Sequence, residues 1–277
     1  MVITRFAPSP TGRLHMGHAY SALFASSLAA DEGGKFLLRI EDIDTSRCRE
    51  EYTEGIYEDL EWLGIRWKSD VLIQSNRFDA YRKSINLLRE MGVLYPCFCS
   101  RKKIEAEQSD AGLAPHGSGL PKYSGHCRKI GSKTRRDRIA QGDPHSWRLD
   151  CSAAFSITGK LMWFDRLAGE IIVDPSILGD VIISRKDIAT SYHLAVTLDD
   201  AEQGVTLISR GQDLMESTHV HRLLQCLLQL PVPHWYHHEL IKDEEGRRFS
   251  KRAGSLTLKE MRDSGIRPED LRKELGF

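Results

Sequence analysis

His15 and His18 stand three residues apart in the stretch RFAPSPTGRLHMGH, residues 5 to 18, which runs into the apolar, small-residue segment AYSALFASSLAA. If that segment is helical, both imidazoles share one face of its first turn. Their N–H groups can then donate to a phosphate whose charge grows during displacement at phosphorus. A helix that opens after a Gly/Pro loop also points unpaired backbone N–H groups at an anion. Gly12 and Gly17 carry no Cβ and let a ligand come close to the chain. Neither phosphate-loop signature, G-x-x-x-x-G-K-[ST] or G-x-G-x-x-G, is present. Taken alone, the histidine pair equally permits capping or metal ligation. A second chemical element lies far downstream, the basic stretch RRFSKR at 247 to 252, with Ser250 and Lys251 at its centre.

The cysteines give a third candidate. Of six, at 48, 97, 99, 127, 151 and 226, three cluster as CFC (97 to 99) and YSGHC (123 to 127). Three thiolates with one further N or O donor make a closed tetrahedral centre, the structural kind of zinc site. On chemistry alone the fourth ligand is His126 or His116, and a set of buried reduced thiols is the alternative reading.

The elements that must position these groups follow from pattern. VITRF reads as a strand, APSPTGRLH as a loop, Met16 to Gly33 as a helix ended by Gly33-Gly34, and KFLLRI as a second strand with EDIDTSR at its carboxyl end. Strand, helix, strand makes a right-handed βαβ unit and a parallel sheet. Helices are expected at EEYTEGIYEDLEWLGI and RFDAYRKSINLLREMG. From Pro96 to Gly142 no period is sustained, which reads as an insertion. HSWRLD, AAFSI, LMWFDRLAGEIIV and DVIISR then look strand-like. ATSYHLAVTLDDA reads as helix, VTLISR as strand, MESTHVHRLLQCLLQL as amphipathic helix, HWYHHELI as strand and the final segment as two short helices.

Composition excludes several classes. The 277 residues suit one large domain or two modest ones, with 40% hydrophobic and 28% charged residues, as in an ordinary globular protein. Lys+Arg and Asp+Glu both number 39, so no global field marks a polyanionic partner. Basic clusters lie at 101 to 103, 132 to 138 and 246 to 252; each reads first as a solvated face, and the last two are candidates for nucleic-acid backbone contacts. With no apolar leader and no run of 18 apolar residues, the expected location is cytoplasmic, with no membrane partner and reduced thiols.

P-S-P-T-G-x-L-H-x-G-H followed by F-S-K-R resembles the signature pair of class I aminoacyl-tRNA synthetases, with HMGH in place of the HIGH motif and RFSKR in place of the KMSKS loop. RFAPSPTGRLHMGHA, RIEDID and YHLAVTLDDAEQGVTLISRGQDLMEST resemble the glutamyl branch. The resemblance implies an α/β fold: a Rossmann-like parallel-sheet nucleotide-binding domain with an inserted zinc-containing subdomain and a small C-terminal helical part. It divides the chain at 1–95 and 176–241 (catalytic), 96–175 (insertion) and 242–277 (basic loop and helices), without an anticodon-binding domain. It further implies ATP with Mg2+ and L-glutamate as substrates. His15, Gly17, His18, Ser250 and Lys251 would bind ATP, and His15, His18 and Lys251 would be catalytic. Position 248 is Arg where the family's loop has its first Lys, so the catalytic role rests on Lys251. Arg5, Phe6, Ala7, Pro8, Ser9, Glu41, Tyr192 and Arg210 would bind glutamate, the arginines gripping carboxylates and Glu41 the α-ammonium. Taken singly, Arg5 could pair with an acid of its own, Glu41 could cap a helix and Tyr192 could be a core ring. For the metal the resemblance points to Tyr123 beside Cys97, Cys99 and Cys127. Because the chain ends at Phe277, soon after Lys251, it is most similar to the truncated paralogue of that branch, which attaches glutamate to queuosine in the anticodon of tRNA(Asp). Charging the 3′ end of tRNA(Glu), or a non-catalytic glutamate or nucleotide sensor, are the alternatives.

Overall fold

The computed structural model describes residues 1–100, 123–177, 179–241 and 256–277. Strands β1 (Ile3–Phe6), β2 (Lys35–Ile40) and β3 (Leu72–Ile73) pair in parallel in the order β1-β2-β3, and helix α1 (Met16–Asp31) makes the crossover. α1 stops at Asp31, two residues before the expected end. Gly33 follows at φ 58°, and Gly34 packs so close to the Val2 carbonyl that a Cβ would sit 2.1 Å from its oxygen. Only glycine fits that pair of positions.

A second parallel pair, β9 (Leu207–Gly211) and β10 (His234–His238), runs beside the first, with the Thr206 amide donating to the Ile3 carbonyl at 3.0 Å. β1 and β9 are therefore neighbours, and the sheet order changes direction between them. β2 is buried on both faces, as a central parallel strand must be. Phe36, Leu38 and Ile40 pack with α1, α2 (Glu50–Trp62) and the two C-terminal helices, α8 (Leu258–Asp263) and α9 (Pro268–Glu274). Leu37 faces the other core, shared with α3 (Phe78–Glu90), α6 (Tyr192–Glu202) and α7 (Ser217–Leu227).

The described part of residues 96–175 divides in two. β4 (Leu94–Cys97), β5 (Ser146–Leu149) and β8 (Ile182–Ser184) form an antiparallel sheet beside a small core of Tyr95, Cys97, Cys99, Tyr123 and Cys127. The hairpin β6 (Met162–Asp165) and β7 (Gly169–Ile172) instead joins the β9–β10 pair, β6 pairing with β10 at Trp235 and Asp165. Helix α4 (Ser132–Ala140) forms in the stretch that showed no period; none of its residues is buried, so no apolar stripe could betray it.

One expected strand is a helix. AAFSI lies in α5 (Cys151–Thr158), where the Asp150 side chain accepts from the Ala153 amide at 3.0 Å and Gly159 ends the last turn at φ 66°. An Asp N-cap followed by Cys-Ser-Ala-Ala, with Ala the best helix former, outweighs the short apolar run that suggested a strand. No helix among the described residues is long and apolar enough to cross a membrane.

Candidate active site

The carboxyl ends of β1, β2, β9 and β10 open on one cleft, where open parallel sheets bind ligands when the strand order reverses. It has a volume of about 550 Å3. Arg5, Phe6, Ala7, Pro8, Ser9, Glu41, Tyr192 and Arg210 all line it, as do His15, Gly17 and His18. The elements explain this convergence. Arg5 and Phe6 end β1, Glu41 follows β2, Arg210 nears the end of β9, and Tyr192 opens α6.

His15 and His18 form the N-terminal cap of α1. His15 Nδ1 accepts from the Gly17 amide, and His18 Nδ1 accepts from the His15 amide, each at 3.2 Å. The capping reading of the pair is thus what the helix uses, yet it prepares the other one. A ring that accepts through Nδ1 carries its N–H on Nε2. Both histidines are neutral Nε2–H donors held at the mouth of a 16-residue helix.

Behind the cleft lies a buried ladder of charges. Asp200 accepts from Arg5 Nε (2.8 Å) and Arg39 Nη1 (2.8 Å), while Arg39 Nη2 donates to Glu41 Oε1 at 3.3 Å. Arg39 is fully buried and also donates to Gln203 Oε1 at 2.9 Å. Burial alone would raise the Asp200 carboxyl, but Arg39 and Arg5 outweigh it and hold it below the usual carboxylate range. Burial raises Glu41 despite Arg39 and Arg5. Arg5 thus has an acid of its own, and its Nη1 also donates to the Ser209 carbonyl at 3.2 Å.

Arg210 differs. It is 6% exposed, and among the described residues no carboxylate lies within salt-bridge distance of it. Its partners are neutral: His237 Nε2 (3.1 Å), His221 Nδ1 (3.3 Å), Tyr192 Oη (3.4 Å) and Thr218 Oγ1. Burial, with Arg210 adjacent, pushes His237 down to about 4 against the pull of Asp165, and His221 well below its ordinary value. Burial also lowers Arg210 itself, as expected for a cation with no acid beside it. Sequence reasoning missed Arg39, Asp200, His221 and His237. An arginine in the middle of the apolar strand KFLLRI was the available signal for the first.

The cysteine cluster lies apart, at the edge of β4. Cys97, Cys99 and Cys127 are buried with their sulfurs within 4.8 Å of one another. Cys99 Sγ is 3.5 Å from both Cys127 Sγ and Tyr123 Oη. A tetrahedron of 2.3 Å Zn–S bonds has edges of about 3.8 Å, close to the 3.5 Å separations found here, so the donor set could hold zinc. Tyr123 Oη also accepts the Cys127 amide at 2.8 Å. His126 is exposed, and His116, Ser250 and Lys251 lie outside the described residues. Described residues on either side of them do lie at the cleft: Ile241 lines it, and Thr257 bridges to His15.

Residues 1–276 match the family tRNA synthetases class I (E and Q), catalytic domain. The chain is 44% identical to a glutamyl-Q tRNA(Asp) synthetase of Rhodobacter capsulatus, with all of both chains covered. It is 38% identical to a glutamate–tRNA ligase of Aquifex aeolicus, with 98% of this chain covered but only 55% of the ligase. Among solved structures, a glutamate tRNA ligase of Elizabethkingia meningosepticum in complex with its amino acid superposes with a TM-score of 0.82 at 26% identity, over 100% of this chain and 60% of the other.

Proposed function

From a chain that belongs to the class I tRNA synthetase (E and Q) catalytic-domain family, an enzyme of the ligase type, we propose a specific reaction. It activates L-glutamate with ATP, releases pyrophosphate and transfers the glutamyl group to queuosine in the anticodon of tRNA(Asp). The observation that carries the glutamate part is the buried Arg210 cation facing the cleft, whose partners among the described residues are all neutral. A substrate side-chain carboxylate supplies the missing counter-charge. Glu41, which also lines the cleft, takes the α-ammonium, and Tyr192 and Ser9 complete the polar lining.

In that pose the α-carboxylate is left to attack the α-phosphorus of ATP. His15 and His18 present Nε2–H donors to the phosphates at the start of α1, where the helix dipole adds to their effect. Tyr20, Leu240 and Ile241 give the cleft an apolar end suited to the base. Lys251 neutralises charge developing on the departing pyrophosphate, and Ser250 supports the same group. Mg2+ bound with ATP adds charge neutralisation. Catalysis is then positioning plus electrostatics, with no covalent enzyme intermediate. Zinc held by Cys97, Cys99, Tyr123 and Cys127 would tie β4 to the segment around residue 127.

End-to-end similarity to a protein called a glutamyl-Q tRNA(Asp) synthetase, against half-length similarity to glutamate–tRNA ligases, supports queuosine as acceptor. Two measurements test the reading. ATP–pyrophosphate exchange should depend on L-glutamate without tRNA, because the groups facing the amino acid are already in place, and Lys251→Ala should lower it by orders of magnitude. Labelled glutamate should then enter tRNA(Asp) carrying queuosine and fail to enter the same tRNA from a queuosine-deficient strain. Labelling of tRNA(Glu), indifferent to queuosine, would establish the other acceptor.

A further inference from the structure

Arg210 can serve a substrate only if its guanidinium is aimed and its charge is left unspent, and two residues outside the cleft lining meet both conditions. Asp165 ends β6 and is 1% exposed; His237, on β10, is 2% exposed. Asp165 Oδ1 accepts the Leu167 and Ala168 amides at 2.9 and 3.0 Å. Its Oδ2 accepts the His237 amide at 3.1 Å and lies 2.7 Å from His237 Nδ1. The four acceptor sites of the carboxylate are therefore filled. Burial opposes its charge, but these donors outweigh it and hold Asp165 below the usual carboxylate range.

An ionised carboxylate can only accept, so His237 Nδ1 carries the proton and Nε2 carries the lone pair. That lone pair points at Arg210 Nε, 3.1 Å away. The opposite tautomer would set N–H against N–H. We propose that Asp165 and His237 are positioning residues: the carboxylate fixes the tautomer of the imidazole, and the imidazole fixes the guanidinium of Arg210 toward the amino-acid substrate. The choice of a neutral intermediary matters. A carboxylate placed directly on Arg210 would orient it equally well but cancel its charge, as Asp200 does for Arg5. The imidazole passes on orientation and keeps Asp165 one ring away. This is the logic by which outer residues orient inner ones.

The inference rests on the glutamate reading, and its test separates the two. Asp165→Asn keeps the shape of the side chain. Its carbonyl oxygen stays with the Leu167 and Ala168 amides, so its NH2 faces His237 and drives the imidazole to the wrong tautomer. His237→Ala deletes the acceptor, while His237→Gln returns an amide oxygen near the place of Nε2. In pyrophosphate exchange, Asp165→Asn and His237→Ala should raise KM for glutamate by about tenfold to a hundredfold, the range for one hydrogen bond to a charged group. KM for ATP should stay near wild type, and His237→Gln should recover much of the loss. Nitrogen NMR of wild-type protein should find His237 protonated at Nδ1 and bare at Nε2. Unchanged glutamate KM in Asp165→Asn, parallel rises in both KM values, or a proton on Nε2 would each overturn the proposal. Wild-type exchange that ignores glutamate would instead sink the substrate reading, while the NMR result still decides the Asp165–His237–Arg210 geometry.

Discussion

Replacing Asp200 with Asn removes one charge from the buried ladder and almost nothing else. Asn Oδ1 can keep the two strong bonds, from Arg5 Nε and Arg39 Nη1, both 2.8 Å in the wild type. The new NH2 meets Arg5 Nη2, the long contact at 3.4 Å. What changes is the electrostatics. Asp200 is the counter-charge shared by Arg5 and Arg39, and without it Arg5 has no acid within salt-bridge distance among the described residues and stands as a bare cation near Arg210. A pair of unit charges at about 4 Å interacts by about 4 kcal/mol at an effective dielectric of 20, and Asp200 serves two such partners. Part of that attraction only repays the desolvation of Asp200 itself. The measured cost of leaving a buried charge unpaired, about 3–5 kcal/mol, is therefore the expected loss. At about 2–4 °C per kcal/mol for a chain of this size, thermal unfolding should fall by roughly 10 °C. Circular dichroism melts and urea titrations measure it, and raising the salt should not restore it, because both arginines are nearly inaccessible to ions. A midpoint within about 2 °C of wild type, as expected for a solvated surface pair, would refute the claim that the ladder is a buried electrostatic unit.

Two other expectations concern the metal and the buried imidazoles. Purified protein should contain zinc, and Cys99→Ser should lower both zinc content and melting temperature; metal-free protein with an unchanged melt in Cys97→Ser would remove the site. Acid should destabilise the fold through the buried imidazoles. His193 and His237 are pushed down to about 4, chiefly by burial, and His221 well below its ordinary value. The unfolded chain binds those protons near 6.5, so stability is complete above that pH and is lost as pH falls toward 4, with His193 and His237 each contributing at most about 3 kcal/mol. Asp165 and Asp200, held low, add their loss only below the ordinary carboxylate value. A flat urea midpoint from pH 7 to 4.5 would contradict the neutral cluster around Arg210.

What could be read from the sequence was local. The helix after HMGH, the strand KFLLRI and the YSGHC segment each carry their signal within a few residues, and each lies where its pattern placed it. AAFSI failed because a five-residue apolar run has no period of its own, and the decisive feature, the Asp150 cap, sits outside it. The charge ladder and the Arg210 surroundings were invisible for another reason. Arg39 and Asp200 are 161 positions apart, and Asp165 and His237 are 72 apart. No spacing rule links them, since only the sheet order brings the ends of β1, β2, β6, β9 and β10 together.

The same limit bears on the two arginines that the sequence treated as equals. Arg5 and Arg210 are both buried and both line the cleft, and residue type assigns each a carboxylate to hold. In the fold they are electrostatic opposites. Arg5 spends two of its donors on Asp200, so a substrate anion near it meets a neutral pair and gains mainly directional hydrogen bonding. Among the described residues Arg210 is met by hydroxyls and neutral imidazoles, with no carboxylate in contact to neutralise it. If the proposed glutamate reading holds, discrimination between a carboxylate and an amide of equal shape falls on Arg210, because glutamine can fill the same volume but leaves the buried cation without a counter-charge. On that reading the pocket selects by charge before shape, and the preference depends on the imidazole of His237 keeping Asp165 one ring away from Arg210.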